Sequence, residues 1–464
     1  MSELQQADQA LRPEGEPPRG AEAARCKRLS GWGRVPWMRA RELASEDLLE
    51  ATRGAVLSRG LGRSYGDASL PPREGDLVAS TLRADRVLVF DRERAILRAE
   101  AGLSLFDLNG ILWPAGFACP VAPGTQFVTL GGMLASNVHG KNQHVAGCIG
   151  DHVRGLRLRV ADGRVLEVGP EREPELFDAT LGGMGLTGHI LEVELELERI
   201  PGAWIEEQTR PVPDLGALVA GLREASRHWP FTVCWVDALR RGAGMGRGIL
   251  RMGRWAEPHE APRAVPRPRR GPSLPFPLPG RAMNRLTLAA ANALYYRLQS
   301  RPRRRVVHPQ AFFHPLDALQ HWNRLYGRRG PIQYQCVLPE GEEERACRRF
   351  FETLTRMGGA SFLSVVKDCG PTPRGLLSFP LPGISVALDL VMREGSTQRL
   401  IDALNEIVIE AGGRIYLTKD ALTRPEHFRA MEGARLARFL EVRRKWDPER
   451  RLGSALASRL LGDA

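Results

Sequence analysis

Lysine is nearly absent from this chain of 464 residues: of 66 basic side chains only five are lysine, Lys27, Lys141, Lys367, Lys419 and Lys445. Arginine is the default base. A lysine kept inside a motif therefore points to chemistry that needs a compact ammonium whose pKa can fall, which a guanidinium cannot supply; for Lys27 and Lys445 chance retention is the simpler reading. The seven cysteines are scattered and form no C-x-x-C pair, which excludes a disulfide framework and a zinc knuckle and fits a reducing compartment. The longest apolar run, around Leu286–Tyr296, falls far short of the roughly 20 residues of a membrane span. Residues 1–24 are polar and proline-bearing, without the basic start and apolar run of a secretory signal. They are expected to be a disordered lead-in, which favours a cytoplasmic location, soluble or peripheral on the inner face of the membrane. Aromatic residues are few, 15 Phe, 9 Trp and 6 Tyr, and no basic–aromatic interleaving suggests single-strand recognition, so no nucleic-acid partner is expected.

What is present is a long, basic, turn-rich chain. Its length predicts two or three domains at roughly 100–200 residues each, and its formal charge of +12 invites an anionic partner without choosing among phosphate, membrane and nucleic acid. From about Leu43 to Ile200 short strands and helices alternate: a hairpin of Val87–Phe90 with Ala95–Ala99, a helix at Leu103–Trp113, a second hairpin of Val153–Val160 with Arg164–Val168, and a half-buried strand at Ile190–Leu197. After Pro201 strands are expected at Phe231–Val236, Ile332–Leu338, Ser361–Val366 and Ile384–Leu390, with helices near Leu215–Ala225, Glu342–Met357 and Thr397–Ala411. The class is α+β, without βαβ regularity. The expected division is 25–200, then 201–411 with an Arg/Pro-rich excursion at 251–305, then a C-terminal return at 412–464. For the excursion, which holds an amphipathic helix over Met283–Leu298, a mobile solvated segment and a contact with anionic lipid headgroups are both open.

The densest glycine loop follows a short strand: Ser58, Arg59, Gly60, Leu61, Gly62, Arg63, Ser64, Tyr65, Gly66, Asp67. Its glycines let successive backbone N–H groups converge on a pyrophosphate, with two arginines to add charge. The spacing is not that of a dinucleotide fold or an NTPase loop. The literal G-x-G-x-x-G at Gly183–Gly188 follows a helix and precedes a strand, the reverse of a Rossmann fingerprint, but it can still bring backbone close to a planar ligand. Between these loops lie Pro123–Gly132 and the run Asn137-Val138-His139-Gly140-Lys141-Asn142-Gln143-His144. His139 and His144 are five apart with no completing carboxylate, so no metal is expected. A histidine and a lysine between glycines look like groups held over a cofactor. Gln333 and Gln335 leave one side of a strand.

Together, R-G-L-G-R-S-Y-G-D, P-G-T-x-x-V-T-x-G-G, H-G-K-N, G-G-M-G-L-T-G, Gln333-Tyr334-Gln335 and Tyr416-Leu417-Thr418-Lys419-Asp420 resemble the decaprenylphosphoryl-β-D-ribose 2-oxidase family, flavoproteins with the vanillyl-alcohol-oxidase type of fold. The resemblance runs from about Leu43 to Leu461 and takes in H-P-L-D at His314–Asp317 and W-N-R-x-Y-G at Trp322–Gly327. It implies a two-domain FAD-binding fold with a substrate domain on a mainly antiparallel sheet. By the same resemblance FAD is held by Ser58 to Ala68, Gly124, Thr129, Leu130, Gly131, Gly132, Ser136, Asn137, Val138, His139, Ile190 and Tyr416. Relatives with covalent flavin carry a histidine where Tyr65 stands, so the FAD here is expected to be non-covalent.

The substrate implied is a lipid-linked sugar phosphate, a polyprenyl-phosphoryl-β-D-ribose oxidised at its 2-hydroxyl to the 2-keto sugar. This is the first half of an epimerisation to the arabinose form, used in cell-wall arabinan synthesis and completed by a separate NAD-dependent keto-reductase. Lys419 is the first candidate for catalysis, as phosphate ligand, alkoxide stabiliser or base, with Tyr65, His139 and Lys141 beside it. Gln333, Gln335, Lys367 and Ser385 are the expected substrate contacts. Mycobacterial-type members carry a cysteine near the flavin where Ala387 stands, so inhibitors that attack that thiol are expected to fail. A flavin oxidase of free aldonolactones or alditols is the alternative, and a basic binding protein that has lost catalysis is the rival from another class.

Overall fold

The computed structural model describes residues 24–279 and 283–463; the lead-in expected over 1–24 lies, apart from Ala24, outside them. Three sheets organise the chain. The first carries β1 (Arg25–Ser30), β2 (Trp37–Ala44), β3 (Leu57–Arg59) and β4 (Leu77–Ser80) in the order β1-β2-β4-β3, with β4 parallel to both its neighbours. The glycine loop leaves the C-terminal end of β3, the edge at which parallel strands present ligand-binding loops.

The second sheet is antiparallel, ordered β5 (Val87–Asp91), β6 (Ile96–Glu100), β10 (His189–Glu196), β8 (Val153–Arg159), β9 (Val165–Val168). Along β10 the alternation seen in the sequence is physical: Leu191, Val193 and Leu195 enter the core while Glu192 and Glu196 face out. There Glu192 pairs with Arg98 and Arg157 at 2.8 and 2.7 Å, and Glu196 with Arg154 at 2.6 Å. A short ribbon of β7 (Phe117–Ala118) and β11 (Glu198–Arg199) closes this part.

The third sheet has eight strands: β15 (Arg303–Val307), β12 (Ile205–Val212), β14 (Gly248–Trp255), β13 (Phe231–Val236), β17 (Ser364–Cys369), β18 (Gly383–Val391), β16 (Pro331–Pro339), β19 (Arg414–Ile415), every neighbouring pair antiparallel. Successive side chains of a strand point to opposite faces. Cys234, Val236, Tyr334, Cys336, Leu338, Val366, Val386 and Leu388 therefore turn to one face, where they form a continuous core with the helices Leu215–His228, Glu343–Arg356 and Ser396–Glu410. Residues of opposite parity, among them Trp235, Gln333, Gln335, Lys367, Ala387 and Asp389, turn to the other face, where a cavity lies.

The Arg/Pro-rich stretch 251–305 is less of an excursion than its composition suggests. Residues 251–255 belong to β14 and 303–305 to β15. Arginines enter these strands because the neighbouring β12 offers Glu206 and Glu207, buried carboxylates that take Arg254 with Arg304 and Arg251 with Arg305 respectively. The helix in its middle spans Arg285–Gln299. Among the described residues no helix is long and apolar enough to cross a membrane.

The chain finally returns to its start. The helical run Pro425–Trp446, broken at Gly433, leads to a last helix at Ala455–Leu461. Arg459 there clamps Asp67 at 2.8 Å and Asp420 at 2.9 Å, and the Ala455 N–H donates to the Leu70 carbonyl at 3.0 Å.

Candidate active site

One cavity of about 420 Å³ runs from the β3 loop, past residues 122–141, to the open face of the large sheet. That is the size of an ordinary small-ligand site, which falls at about 300–1,000 Å³. Among the described residues its wall carries the cations Arg59, Arg63, Lys141, Arg251, Lys367 and Lys419 against one carboxylate, Asp389. The field inside favours anions.

The structure brings to this wall Ser58 through Tyr65, Ala68, Gly124, Thr129, Gly132, Ser136, Val138, His139 and Tyr416, together with Lys141, Gln333, Gln335, Lys367 and Lys419. Other expected residues stand elsewhere. Gly66 is pressed on the backbone of Asp420, and Asp67 is engaged by Arg459. Leu130 and Ile190 are core side chains, and Gly131 packs on Ala101. Asn137, buried, donates to the Arg374 carbonyl and to Ser378 Oγ and accepts from the Gly150 N–H. Ser385 lies behind Gln335 and meets its amide at 3.1 Å. These residues hold the lining in place without forming it. Arg59 also departs from expectation: its guanidinium donates to the carbonyls of Ser30 and Ser69 and to Ser69 Oγ, all at 2.7 Å, so it pins the loop rather than offering its donors to a phosphate.

The backbone here leaves room for a ligand. A Cβ on Gly60 would strike Thr129 Oγ1 at 2.2 Å, so the two loops touch at that point. At Gly124 and Gly185 a Cβ would meet no protein atom within 4 Å; both positions face the cavity, and Gly185 belongs to the rejected Rossmann-like loop. Asp317 of H-P-L-D fixes the adjacent loop by accepting from Thr125 Oγ1 and the Gln126 N–H, both at 2.8 Å. Asn323 of W-N-R ties Trp32 through its carbonyl at 2.8 Å. Glycine backbone, cations and an aromatic group of His139, Phe379 and Tyr416 suit a ligand with a pyrophosphate and a flat ring. The donor set fits FAD.

The lysines divide by environment. Lys27 pairs with Glu42 at 2.6 Å and Lys445 approaches Glu175 at 3.9 Å. Lys141, Lys367 and Lys419 have no carboxylate partner among the described residues, and all three line the cavity. Lys141 donates to the Phe313 carbonyl at 2.8 Å, and burial together with the nearby Arg251 and Lys367 charges pushes its pKa well below the ordinary lysine value. Lys367 donates to His139 Nδ1 at 2.8 Å, and burial pushes its own pKa down to about 8. Lys419 stands over the Tyr65 ring, 4.6 Å from its centroid, with no hydrogen-bond acceptor among the described residues; burial brings it to about 8, Asp389 holding it up and Lys367 pressing it down. Three lysines gathered in one cavity, with no carboxylate partner among the described residues, favour an anionic ligand.

His139 is kept neutral by burial and by the Lys367 and Lys419 charges. Lys367 Nζ meets its Nδ1, and the Gln335 side-chain nitrogen, which also donates to Ser385 Oγ, stands 3.1 Å from its Nε2.

Asp389 escaped the sequence reading. It is fully buried on β18, paired in register with Gln333, whose amide donates to Oδ1 at 2.5 Å and to the Tyr65 hydroxyl oxygen at 3.2 Å. Its Oδ2 has no hydrogen-bond partner among the described residues. Burial pushes its pKa up to about 7, against the Gln333 bond and the Lys419 charge. A carboxyl poised near neutrality in a cavity is suited to accept a proton. Ala387, two residues earlier, puts a methyl at the same wall, and none of the seven cysteines lines it.

Residues 47–169 match the family model of an FAD binding domain. Over 453 residues, 94% of this chain and 97% of the relative, the sequence is 35% identical to the decaprenylphosphoryl-beta-D-ribose oxidase of Mycolicibacterium smegmatis. An uncharacterized protein of Streptomyces coelicolor is 33% identical over 371 residues, 77% of this chain and 100% of its own. The L-gulonolactone oxidase of Mus musculus is 34% identical over 115 residues only, 25% of this chain and 26% of that enzyme.

Proposed function

Because the chain belongs to the decaprenylphosphoryl-β-D-ribose oxidase family, we propose that it oxidises the ribose 2-hydroxyl of a polyprenyl-phosphoryl-β-D-ribose to the 2-keto sugar with FAD. The observation that carries this reading is the set of three lysines with no carboxylate partner among the described residues, Lys141, Lys367 and Lys419, facing Asp389 across one cavity. A phosphorylated sugar supplies the missing anion and the hydroxyl. A free aldonolactone or alditol leaves the cations unpaired.

FAD, when bound, supplies the acceptor for the hydride of the carbinol carbon. The chain's residues do the rest. Asp389 takes the hydroxyl proton on Oδ2, while Gln333 holds its other oxygen. Lys419 stabilises the negative charge that grows on the sugar oxygen, and Lys141 and Lys367 bind the phosphate. His139, locked by Lys367 and Gln335, keeps a fixed ring edge beside Tyr416. The flavin is held without a covalent bond, since a tyrosine at 65 cannot form the histidyl link. The keto product calls for a second enzyme, an NAD-dependent reductase that returns a hydride to the opposite face. Seven free thiols support a reducing compartment, hence the inner face of the membrane.

The test is anaerobic titration of the FAD-loaded protein. Lipid-linked ribose is expected to bleach the flavin stoichiometrically; bleaching by a soluble lactone or polyol instead would overturn the reading.

Asp389 must be ionised and Lys419 protonated at once. With their pKa values at about 7 and about 8, the rate of flavin reduction should rise with pH through the first and fall through the second, as a coupled pair. Asp389→Asn is expected to lose the rising limb and about a hundredfold in rate, the low end of general-base catalysis. Stopped-flow reduction across pH checks this, and an unchanged profile removes Asp389 from the chemistry.

A further inference from the structure

The helix Arg285–Gln299 is apolar on both sides. Its inward side buries Leu288 against Leu239 and Ala360, and Asn292, which donates to Asp237 Oδ1 at 2.9 Å and to the Ser361 carbonyl at 3.2 Å. Its outward side carries Leu286, Leu294 and Leu298, exposed to 83, 58 and 58%, with exposed Ala290 completing the stripe. These positions are four apart, so they lie in one row along the helix. The outward side of a water-facing helix ordinarily carries polar side chains instead. Leucines left outside in a row mark a surface made for an apolar partner.

Charge says which one. Between Glu260 and Asp317 the sequence contains eleven arginines and not one Asp or Glu. Arg304 and Arg305 are neutralised by Glu206 and Glu207. Arg285, Arg297 and Arg301, at the two ends of the leucine row, meet no carboxylate among the described residues. An apolar stripe flanked by arginines without carboxylate partners among the described residues, in a stretch of sequence with no Asp or Glu, is complementary to an anionic lipid surface: leucines enter the acyl boundary and guanidinium groups meet the phosphates. It is poorly suited to pairing with a second copy of itself, since the arginines would face one another.

The same helix walls the cavity. Tyr295, packed on Trp235 at 4.6 Å between ring centroids, lines it. Just before the helix, Met283 packs against the cluster of Tyr65, Trp322 and Tyr326 at the cavity's side. We propose that the outward row of this helix lies in the surface of an anionic membrane, so that the cavity opens where a lipid-linked substrate is anchored. This rests on the polyprenyl-linked substrate proposed above.

The full FAD-loaded chain is sedimented with phosphatidylcholine vesicles with and without phosphatidylglycerol. Wild type is expected to bind the anionic vesicles at least about tenfold more tightly, with loss in high salt, since each arginine near such a surface contributes about fivefold. The triple variant Leu286→Gln, Leu294→Gln, Leu298→Gln is expected to lose at least about tenfold in binding. It should keep its FAD, its melting temperature and its anaerobic bleaching by a short-prenyl, detergent-free ribose phosphate. Wild type that ignores anionic vesicles, or a triple variant that binds like wild type, overturns the proposal; so does a dimer in solution that the leucine changes dissociate. Bleaching that fails in wild type while vesicle binding persists sinks the substrate reading and leaves the membrane surface standing.

Discussion

Lys419→Ala should purify yellow, with full FAD content, and reduce that FAD about a hundred- to a thousandfold more slowly when lipid-linked ribose is added without oxygen. The magnitude is that of removing one preorganised donor from a site where charge develops. The direction follows from three facts. The ammonium lines the cavity, it has no acceptor of its own among the described residues, and burial brings it to about 8 while leaving it largely protonated at neutral pH. Its position over Tyr65 at 4.6 Å places it at the side of the site where Asp389 also stands, so the variant removes the cation that helps Asp389 ionise. The acid limb of the pH profile should accordingly move upward, because the Lys419 charge is among the influences that lower the Asp389 pKa. Lys419→Arg keeps a positive charge but has a different reach and cannot titrate. It should recover part of the rate and lose the alkaline limb. A Lys419→Ala protein that reduces FAD at the wild-type rate would exclude this residue from the chemistry.

Gly60→Val is expected to produce the second large effect, on the cofactor rather than on the sugar. A Cβ at Gly60 already falls 2.2 Å from Thr129 Oγ1 and 2.9 Å from its Cγ2, closer than atoms can approach, and valine adds two methyl groups. Thr129 cannot easily yield, because its hydroxyl caps the next helix through the Gly132 N–H. The glycine loop must swing away from the second loop, and the slot between them widens. Overpacking of this kind costs about 1–3 kcal/mol, which, if it falls on the cofactor slot, corresponds to an FAD Kd weaker by about five- to a hundred-and-fiftyfold. Gly62→Val should act similarly, since Gly62 has a φ of +62° and a Cβ there would meet the Arg59 guanidinium at 2.2 Å, itself tied to Ser30 and Ser69. Filtration followed by flavin fluorescence of the filtrate measures the loss, and Gly110→Ala, whose Cβ meets nothing within 4 Å, is the control. A variant that retains FAD like wild type would show that the contact between the loops does not shape the site.

Several features could be read in advance because they depend on local pattern. The hairpins β5–β6 and β8–β9 follow from apolar-rich runs on either side of polar turns, β5–β6 with a register shift between Val87 and Val89. The glycine loop declares itself by density, and the three lysines that line the cavity by standing inside motifs of a chain that otherwise uses arginine. Other features were hidden for identifiable reasons. Strand β14 and strand β15 lie inside an arginine-rich stretch, and only the buried Glu206 and Glu207 of β12 make arginine acceptable there. Asp389 sits in Ile384–Val391, where Ser385, Ala387 and Asp389 alternate with Ile384, Val386, Leu388 and Leu390; the pattern marks a strand, but the setting of the carboxyl comes from Gln333 across the ladder and from Lys419 on a distant segment.

By itself, then, the order of residues determined where the flexible glycine loops lie and which few bases are ammonium groups, because glycine freedom and ammonium identity are properties of single side chains. Which of them share a space was decided by folding alone. Pairing of strands far apart in the chain set the parity of each face, turning Asp389 and Lys367 into the cavity and Leu130 and Ile190 into the core. The same packing diverted Arg59 to its own loop and left the leucines of Arg285–Gln299 outside.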